Sequence, residues 1–381
     1  MEFAAIKGFK DILPEEVGNW QRLESEARNL FRCFGFMEIK TPILERTELF
    51  SRSIGQDTDI VSKEMYSFKD SKGRGLTLRP EATASVVRAY IQNRLYEKSP
   101  VQKLFTIGPM FRHERPQKGR FRQFHQINAE IFGDPGPRSD ADIIIMAVIL
   151  FEKIGLTGLT LHINSLGCPQ CRGRFGKALE DFLFQKTPNL CSDCRRRAVT
   201  NPLRIFDCKV ETCKEVVSGA PSILDFICND CQDHLNSLRD NLESSGVSFI
   251  LNSGLVRGLD YYSRTTFEIQ TERLGSQNAV AGGGRYDGLT KLLSGPDHPA
   301  IGFAVGVERV IALMEEECAP EIKKPDLFIV ALGETAQKTC FNLTMELRKS
   351  GLWVEMDYGQ KGLKAQMKRA DRLGAIKVFI V

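Results

Sequence analysis

Residues 103–133 constrain the fold more than any other part of this chain. Two apolar runs, KLFTIGPMF and FHQINAEIF, flank a short loop that is rich in charge, proline and glycine. Aromatic and β-branched residues favour strands, whereas proline, glycine and charged residues favour turns, so the sequence predicts a β-hairpin. The loop brings together five cations and one carboxylate, namely Arg112, Glu114, Arg115, Lys118, Arg120 and Arg122.

These loop residues have the chemistry to bind a nucleotide. Planar guanidinium groups bind phosphate oxygens through pairs of hydrogen bonds, and a carboxylate accepts a hydrogen bond from an exocyclic amine. We therefore predict that the hairpin grips a polyphosphate. The alternative is a solvated surface hairpin, because most charged loops contact only water.

Length and composition limit the class of protein. A chain of 381 residues is expected to form two or three domains, and 42% apolar with 26% charged residues is typical of a soluble globular protein. No apolar run reaches the length of a membrane span, and the first residues do not resemble a secretory signal, so we expect a cytoplasmic protein. A net charge of +4 argues against a histone-like nucleic-acid binder.

The first segments suggest a helix followed by an edge strand. Apolar residues recur every three or four positions in 14–35, which predicts an amphipathic helix. The following stretch, GFMEIKTPILERTELF, reads as a strand interrupted by Pro42. Proline is tolerated at a strand edge or kink, so this strand is expected at a subunit or domain boundary, or simply facing solvent.

Three further stretches carry candidate ligand-binding residues. In GLTLRPEAT, a strand at 76–78 leads into a helix, and Glu81 with Thr83 could hold an ammonium group or merely cap that helix. Glycines 282–284 allow close backbone approach to a ligand, although the Walker spacing is absent. Arg309 begins an amphipathic helix, where a lone arginine is more often a surface residue than part of a site.

The final segment, 326–381, alternates strand, helix, strand, helix and strand, which predicts a parallel sheet. Its second helix has a basic face that suits an RNA backbone but is also common on solvated helices. The chain ends on an apolar strand, so we expect this domain to be truncated.

Eight of the eleven cysteines fall between Cys168 and Cys231, in four closely spaced pairs. The first two pairs are separated by 19 residues and fit a strong zinc pattern. We predict a structural zinc site there and a second site of looser spacing, with His234 as an extra candidate; the alternative is eight reduced thiols. The first predicted site is Cys168, Cys171, Cys191 and Cys194, and the second is Cys208, Cys213, Cys228 and Cys231.

Five motifs occur in the order TLRPEAT, GPMFRHERPQKGRFRQFHQ, LVRGLDYYSRTTFE, AGGGRYDGL and GFAVGVERV. Together they closely resemble the histidyl-tRNA synthetases, which are class II aminoacyl-tRNA synthetases, and the similarity extends over essentially the whole chain. The resemblance implies an α+β catalytic domain with an antiparallel sheet over 1–165 and 250–322. It also implies a partial α/β anticodon-binding domain over 326–381, while 166–249 is interpreted as a small helical, cysteine-rich insertion.

The same resemblance implies ATP-dependent ligation of L-histidine to tRNA-His through a histidyl-adenylate, with Mg²⁺ and a homodimer. Arg112 would hold the α-phosphate, Glu114 the adenine and Arg309 the γ-phosphate. Arg257, with Arg112, would be catalytic, because fixed guanidinium groups stabilise the charge that builds on phosphorus oxygens.

The histidine site follows from the same resemblance. Glu81, Thr83 and Gln126 would hold the α-amino group, with Ala82, Arg112 and Arg257 also in contact with the amino acid. Glu130 and Tyr262 would bracket the imidazole beside Tyr261. Hydrogen bonds to both imidazole nitrogens exclude other side chains, so no editing domain is expected. Arg115, Lys118, Arg120 and Arg122 would face the tRNA acceptor end.

Two alternatives belong to other classes. A regulatory subunit of ATP phosphoribosyltransferase resembles these synthetases, but a protein that only senses histidine does not need arginines that bind ATP. A zinc-dependent RNA-binding protein would explain the cysteines and the basic loop, but not the paired carboxylates or LVRGLDYY.

Overall fold

The computed structural model describes residues 3–55, 58–117, 119–275, 278–317 and 324–381. The chain divides into two compact units, Met1–Ala319 and Pro320–Val381. No helix among the described residues is long and apolar enough to cross a membrane.

The helices are α1 Val17–Cys33, α2 Thr47–Ile54, α3 Thr83–Gln92, α4 Pro137–Lys153, α5 Pro169–Lys186, α6 Ser192–Thr200, α7 Glu211–Ser218, α8 Asn229–Ser244, α9 Leu289–Leu292, α10 Val307–Glu317, α11 Glu334–Lys349 and α12 Leu363–Leu373. The strands are β1 Met37–Glu38, β2 Leu44–Arg46, β3 Tyr66–Lys69, β4 Gly75–Leu78, β5 Gln102–Phe111, β6 Gln123–Phe132, β7 Thr160–Ser165, β8 Ile250–Leu251, β9 Ser263–Gln270, β10 Ala279–Arg285, β11 Ala300–Gly306, β12 Leu327–Val330, β13 Val354–Met356 and β14 Lys377–Ile380.

The larger unit is built on a sheet whose described strands run in the order β1-β5-β6-β11-β10-β9-β7-β8. Neighbours from β5 to β7 are antiparallel, as predicted. The prediction of an antiparallel sheet is wrong at both edges, where β1 pairs with β5 and β7 pairs with β8 in parallel. A parallel pair needs a long crossover, and the whole segment 166–249 forms the crossover between β7 and β8.

The predicted hairpin is confirmed, with β5 and β6 paired over ten residues from Gln102↔Phe132 to Phe111↔Gln123. The predicted first helix is also confirmed. Its buried face includes Trp20, Leu23 and Phe31, which lie in the main core with apolar residues of the sheet, α4 and α10. This packing holds the hairpin firmly, so its loop is presented from a rigid base.

Pro42 lies between β1 and β2, so the proline separates two short strands, as its missing N–H requires. Strands β2, β4 and β3 form a separate small antiparallel sheet. Strand β4 leads directly into Arg79, Glu81 and α3, as the sequence predicts.

The smaller unit contains the predicted parallel sheet in the order β13-β12-β14, with α11 and α12 as crossovers. The side chains of β14 are exposed, so this apolar strand is not buried within the unit. The expectation that the domain is truncated stays a prediction.

Candidate active site

A cavity of about 340 Å³ opens between the β5–β6 loop, the segment before β9, and strands β10 and β11. Hairpins and glycine-rich strands from distant parts of the sequence therefore meet at one place on the sheet. Four arginines line the cavity together with three carboxylates and one amide: Arg112, Arg120, Arg257, Arg309, Glu114, Glu268, Glu308 and Gln126.

Arg112 is fixed at the base of the hairpin loop. Its Nε donates a hydrogen bond to the Pro80 carbonyl oxygen at 2.8 Å, and its guanidinium lies 5.2 Å from the centre of the Phe124 ring. Burial lowers the pKa of Arg112 from its ordinary value, although Glu64 and Glu81 partly oppose that shift. A guanidinium held in this way offers its remaining N–H groups to a ligand without reorganisation.

Arg257 lies in the segment before β9 and forms an ion pair with Glu268 of β9. Burial acts to lower the pKa of Arg257, but the attraction of Glu268 and Tyr262 and the hydrogen bonds to them together raise it. The guanidinium also lies 5.9 Å from the centre of the Tyr262 ring. The Arg257 Nε is buried and has no hydrogen-bond partner within the described ranges, so it remains available to a ligand.

Gly282 on β10 makes room for Arg257. A Cβ at position 282 would lie 2.7 Å from the Arg257 Cζ, which is far inside van der Waals contact. We predicted that the glycines of β10 admit a ligand. Gly282 lines the cavity and also admits the side chain of Arg257. The sequence-based prediction missed this second role and the Glu268 partner.

Arg309 lies in the first turn of α10 and donates to the Ala279 carbonyl oxygen at 2.5 Å. Burial, followed by repulsion from Arg120 and Arg112, lowers the pKa of Arg309 to about 10. This repulsion indicates that positive charge in the cavity exceeds the negative charge that compensates it. An anionic ligand would reduce the repulsion among these arginines.

The loop cations are not all placed as predicted. Arg120 turns into the cavity and pairs with Glu114, which is buried. The Arg122 Nε donates to the Glu114 carbonyl oxygen at 3.2 Å, and its backbone N–H donates to the Gly8 carbonyl oxygen at 2.8 Å. Arg115 is exposed. Lys118 lies outside the described residues.

A second, smaller group of polar residues is buried beside this cavity. The Thr83 hydroxyl donates to Glu130 Oε1 at 2.8 Å, and the Tyr286 hydroxyl donates to Glu130 Oε2 at 2.5 Å. Burial raises the pKa of Glu130 to about 8, despite these two hydrogen bonds. Tyr286 was not predicted, although its position directly after the glycine-rich strand was a usable signal.

Tyr261 and Tyr262 complete this polar pocket. Their ring centres are 4.8 Å apart, and the Tyr261 ring lies 5.6 Å from that of Tyr286. Burial raises the pKa of both tyrosines, so both keep their hydroxyl protons as donors. Gln126 Oε1 is buried without a hydrogen-bond partner in the described part of the chain.

Glu81 caps α3. It accepts hydrogen bonds from the backbone N–H groups of Thr83 at 2.6 Å and Ala84 at 2.9 Å. Ala82, between them, is fully buried. Burial raises the pKa of Glu81, although these hydrogen bonds oppose it. The capping role that the sequence left open is therefore present in the structure, and the Thr83 hydroxyl remains directed at Glu130.

The cysteines form two groups of four, and the predicted grouping is wrong. Cys168 and Cys171 lie with Cys228 and Cys231, whereas Cys191 and Cys194 lie with Cys208 and Cys213. Each group has its ligand atoms within 4.8 Å of one another. The grouping is nested because segment 166–249 leaves and re-enters the main sheet at adjacent strands, which brings its first and last cysteine pairs together. We call these the outer cluster and the inner cluster.

Both clusters fit tetrahedral zinc. Zn–S bonds of about 2.3 Å place sulfurs about 3.8 Å apart, and the Cys191 to Cys208 sulfur distance is 3.9 Å and the Cys171 to Cys231 distance 4.0 Å. No disulfide joins the cysteines in the described ranges. Backbone N–H groups also donate to sulfur, from Cys228 to Cys171 at 3.1 Å and from Cys191 to Cys213 at 3.2 Å. His234 joins neither cluster and instead contacts Asp140 at 2.7 Å.

Comparisons with known proteins agree with this geometry. A family model described as histidyl-tRNA synthetase matches residues 8–170 and 203–310, and an anticodon binding domain model matches 326–381. The chain is 57% identical over 377 residues to a histidine–tRNA ligase of Desulfosudis oleivorans, covering 99% of this chain and 89% of that protein.

Solved structures give the same result. The apo histidyl-tRNA synthetase of S. aureus is similar with a TM-score of 0.83 and 35% identity, covering 99% of this chain and 91% of that one. A Bacillus halodurans C protein described as an ATP phosphoribosyltransferase regulatory subunit/histidyl-tRNA synthetase has a TM-score of 0.71 at 20% identity, covering 100% and 98%, which is a likeness of fold alone. From the matched ranges and this identity, the chain belongs to the histidyl-tRNA synthetase family.

Proposed function

We propose that the chain joins L-histidine to tRNA-His in two steps, forming histidyl-adenylate from ATP and then releasing AMP. The observation that carries the proposal is the four-arginine cavity beside a buried pocket of Glu130 and tyrosines. The cavity suits a polyphosphate, and the pocket suits an imidazole. The family and its ligases support the same activity.

ATP would lie in the arginine-lined cavity. Arg112 would bind the α-phosphate and Arg309 the γ-phosphate, while Glu114 would accept from the adenine amine. Arg112 lies at the base of the β5–β6 loop, whereas Arg309 lies in α10. They can therefore bind the two ends of a bent triphosphate. Arg120 also lines the cavity, and we assign it to phosphate rather than to the tRNA acceptor end.

Mg²⁺ would accompany ATP, as it generally does in this family. Two other carboxylates that line the cavity, Glu268 and Glu308, offer oxygen ligands of the kind that Mg²⁺ prefers. When bound, the ion neutralises charge on the phosphates.

Arg257 and Arg112 would be the catalytic residues. The carboxylate of histidine attacks the α-phosphorus, a P–O bond to pyrophosphate breaks, and negative charge builds on the nonbridging oxygens. Two fixed guanidinium groups stabilise that charge without a general base. The Arg257 Nε, which has no hydrogen-bond partner among the described residues, and the absence of a Cβ at Gly282 support this role.

Histidine would occupy the buried pocket. Glu130 and Tyr262 would bracket its imidazole beside Tyr261, while Thr83, Gln126 and the capping carboxylate Glu81 would hold its α-amino group. Ala82 would contribute backbone contact. A competing amino acid would leave the buried groups of this pocket without hydrogen-bond partners, and such sites discriminate by roughly 10⁴ or more.

For the tRNA, we propose that Arg115, which is exposed, and Lys118 face the acceptor end and that residues 326–381 read the anticodon. The segment around Pro42 is proposed as part of a homodimer interface. Apolar side chains exposed there support it, namely Met37, Ile43, Leu44 and Phe68. Charging of tRNA for translation is a cytoplasmic activity, and we propose that location.

We propose that the outer and inner clusters each hold one structural Zn²⁺. The domains would be 1–165 with 250–322 for catalysis, 166–249 for the insertion, and 326–381 for the anticodon. The insertion has a core of its own that includes Phe175, Leu179 and Ile205. Leu238 and Leu242 of α8 lie in the main core, so we place the end of the independent part near Cys231.

Aminoacylation with labelled histidine tests the proposed function. We expect ATP-dependent transfer of histidine to a tRNA-His transcript. We expect no transfer of histidine to a tRNA of another identity and no transfer of another amino acid to tRNA-His. Binding of histidine without any ATP-dependent transfer would overturn the proposal and favour a regulatory protein that senses histidine.

A further inference from the structure

Residues 257–262, which we call the arginine–tyrosine segment, carry Arg257, Tyr261 and Tyr262 but contain no helix or strand. Strand β9 starts only at Ser263, although the sequence reads as extended from Leu255. A segment without regular backbone hydrogen bonds depends on other contacts for its position. Several of those contacts come from side chains of the cysteine-rich insertion.

Two of these side chains belong to residues that lie between cysteines of the inner cluster in the sequence. Arg204 and Asn201 lie between Cys194 and Cys208, so both belong to the segment that the inner cluster closes. The Arg204 Nη2 donates to the Gly258 carbonyl oxygen at 2.5 Å and to Asp260 Oδ1 at 3.2 Å. The Asn201 Nδ2 donates to the same Asp260 oxygen at 3.0 Å.

Arg197, in the same closed segment, makes one contact within that segment and one outside it. Its Nη1 donates to the Arg204 carbonyl oxygen at 3.3 Å, and its Nη2 pairs with Asp59 at 2.9 Å. Arg204 is therefore held at its carbonyl oxygen by Arg197 and at its guanidinium by Gly258 and Asp260. Asp260 is also held on its main-chain side, where its N–H donates to the Ile54 carbonyl oxygen at 3.2 Å.

The outer cluster holds the other end of the arginine–tyrosine segment. Arg172 directly follows Cys171, and its Nη1 donates to the Tyr262 carbonyl oxygen at 3.0 Å. The Arg264 backbone N–H donates to the Gly167 carbonyl oxygen at 2.9 Å, which joins the same two regions. Residues near the two clusters in sequence thus hold opposite ends of the segment that carries the candidate catalytic arginine.

We propose that the two cysteine clusters, filled by Zn²⁺, position the arginine–tyrosine segment for histidine through Arg172, Asn201 and Arg204. Zinc closes the loops that carry these three residues, and they hold the carbonyl oxygens of Gly258 and Tyr262 and the side chain of Asp260. They are positioning residues, because none of them is placed in contact with substrate. The inference rests on the proposed synthetase function and adds a metal-dependent support to it.

The test compares Arg204→Ala with Arg196→Ala in the full-length chain. Arg196 is a matched control because it lies on α6, is more than half exposed and pairs only with Asp193 among the contacts of the described residues. We measure the KM for histidine, the KM for ATP and kcat by histidine-dependent pyrophosphate exchange, with zinc content determined on the same samples. We expect Arg204→Ala to raise the histidine KM about tenfold, with a smaller change in the ATP KM and two zinc ions retained.

A second comparison tests the metal. Cys191→Ser/Cys208→Ser should lose one zinc ion and raise the histidine KM to a similar extent. If zinc acts through Arg204, adding Arg204→Ala to this variant should raise the histidine KM by less than twofold more. If the cysteine variant does not fold, the Arg204 and Asn201→Ala variants, which keep all eight thiols, still decide the question.

The outcomes separate the two proposals. Absence of histidine-dependent exchange in the unaltered chain would overturn the synthetase function itself. Exchange in the unaltered chain with equal histidine KM for Arg204→Ala and Arg196→Ala would overturn the positioning role alone. Full activity in a chain free of zinc would overturn the role of the metal.

Discussion

The position of the Arg257 side chain is fixed by three other residues. Glu268 holds its guanidinium, Tyr262 lies beside it, and Gly282 leaves the space that it fills. The sequence motif LVRGLDYYSRTTFE contains both Arg257 and Glu268, eleven residues apart. The motif does not show how the chain folds between them to bring the two side chains together, and for this reason Glu268 was missed.

The first prediction at the residue scale concerns Arg257 itself. Replacing Arg257 with alanine should lower histidine-dependent pyrophosphate exchange by about 10²–10³-fold, because a fixed donor to the developing oxyanion charge is lost. Exchange kinetics at saturating ATP measure this effect. Arg273→Ala is the control, because Arg273 pairs with Glu316 and Glu317 outside the cavity. Equal losses in both variants would contradict the assignment.

The second prediction concerns Gly282. Gly282→Ala should lower exchange by at least tenfold, since the new methyl group would displace the Arg257 guanidinium. Gly288→Ala adds the same methyl group in the same region, at a position with no heavy atom within 4 Å, and should have little effect. Normal exchange by Gly282→Ala would show that the Arg257 position is unimportant.

The third prediction concerns the buried carboxyl of Glu130. In the folded chain the pKa of Glu130 is about 8, whereas its ordinary value is 4.5. The folded state therefore binds more protons than the unfolded state between these values, and Glu130 should lower the free energy of unfolding as the pH rises from about 5 to 8. Each unit of pKa difference corresponds to about 1.4 kcal/mol.

Urea unfolding at pH 5 and pH 8 checks this prediction. Glu130→Gln does not titrate, so it should remove a pH dependence of a few kcal/mol, and its stability relative to the unaltered chain should improve toward pH 8. Glu152→Gln, an exposed change on α4, serves as the control. The same pH dependence in all three proteins would contradict the raised pKa of Glu130.

At the scale of helices and strands, sequence patterns predicted the elements that depend on residues close together in the chain. The hairpin, the first amphipathic helix and the terminal alternating segment were all predicted from periodicity. The pattern from Leu255 favours an extended strand, yet only β9 from Ser263 joins the sheet. Side chains of the insertion, rather than strand partners, bind the carbonyl oxygens of Gly258 and Tyr262.

The cysteine pairing was wrong for a related reason. Spacing along the chain favours neighbouring pairs, but the parallel neighbours β7 and β8 bring the first and last pairs together. A nested arrangement of this kind depends on sheet order, which the sequence did not reveal.

The fourth prediction tests this nesting through zinc content. We expect two zinc ions in the unaltered chain. Cys168→Ser/Cys228→Ser changes two residues of one cluster and should lose one ion, whereas Cys168→Ser/Cys191→Ser changes both clusters and should lose two. The grouping predicted from spacing gives the reverse result for the two variants. Metal analysis of the purified proteins distinguishes them directly.

For the whole molecule, the two compact units divide the proposed work between adenylate chemistry and tRNA recognition. The basic face predicted on 326–381 is only partly available. Arg369 pairs with Glu355 and Asp357, and Lys361 pairs with Asp357. Lys364 and Lys368 are exposed on α12 and are the better candidates for contact with an RNA backbone.

The fifth prediction follows from this division. Lys364→Ala/Lys368→Ala should lower kcat/KM for tRNA charging by about tenfold, because phosphate contacts are lost, and should weaken its salt dependence. Pyrophosphate exchange should be unchanged. Lys338→Ala/Lys349→Ala removes the same charge from exposed sites on α11 and is the control. A parallel loss of exchange would show that the two units do not divide the work in this way.

The most direct test of the central claim is exchange of labelled pyrophosphate into ATP with a panel of amino acids, because activation of an amino acid requires no tRNA. We predict exchange with histidine and none above background with the other amino acids. Exchange with several amino acids would contradict the proposed histidine pocket, and binding of histidine with no exchange would contradict the proposed enzyme.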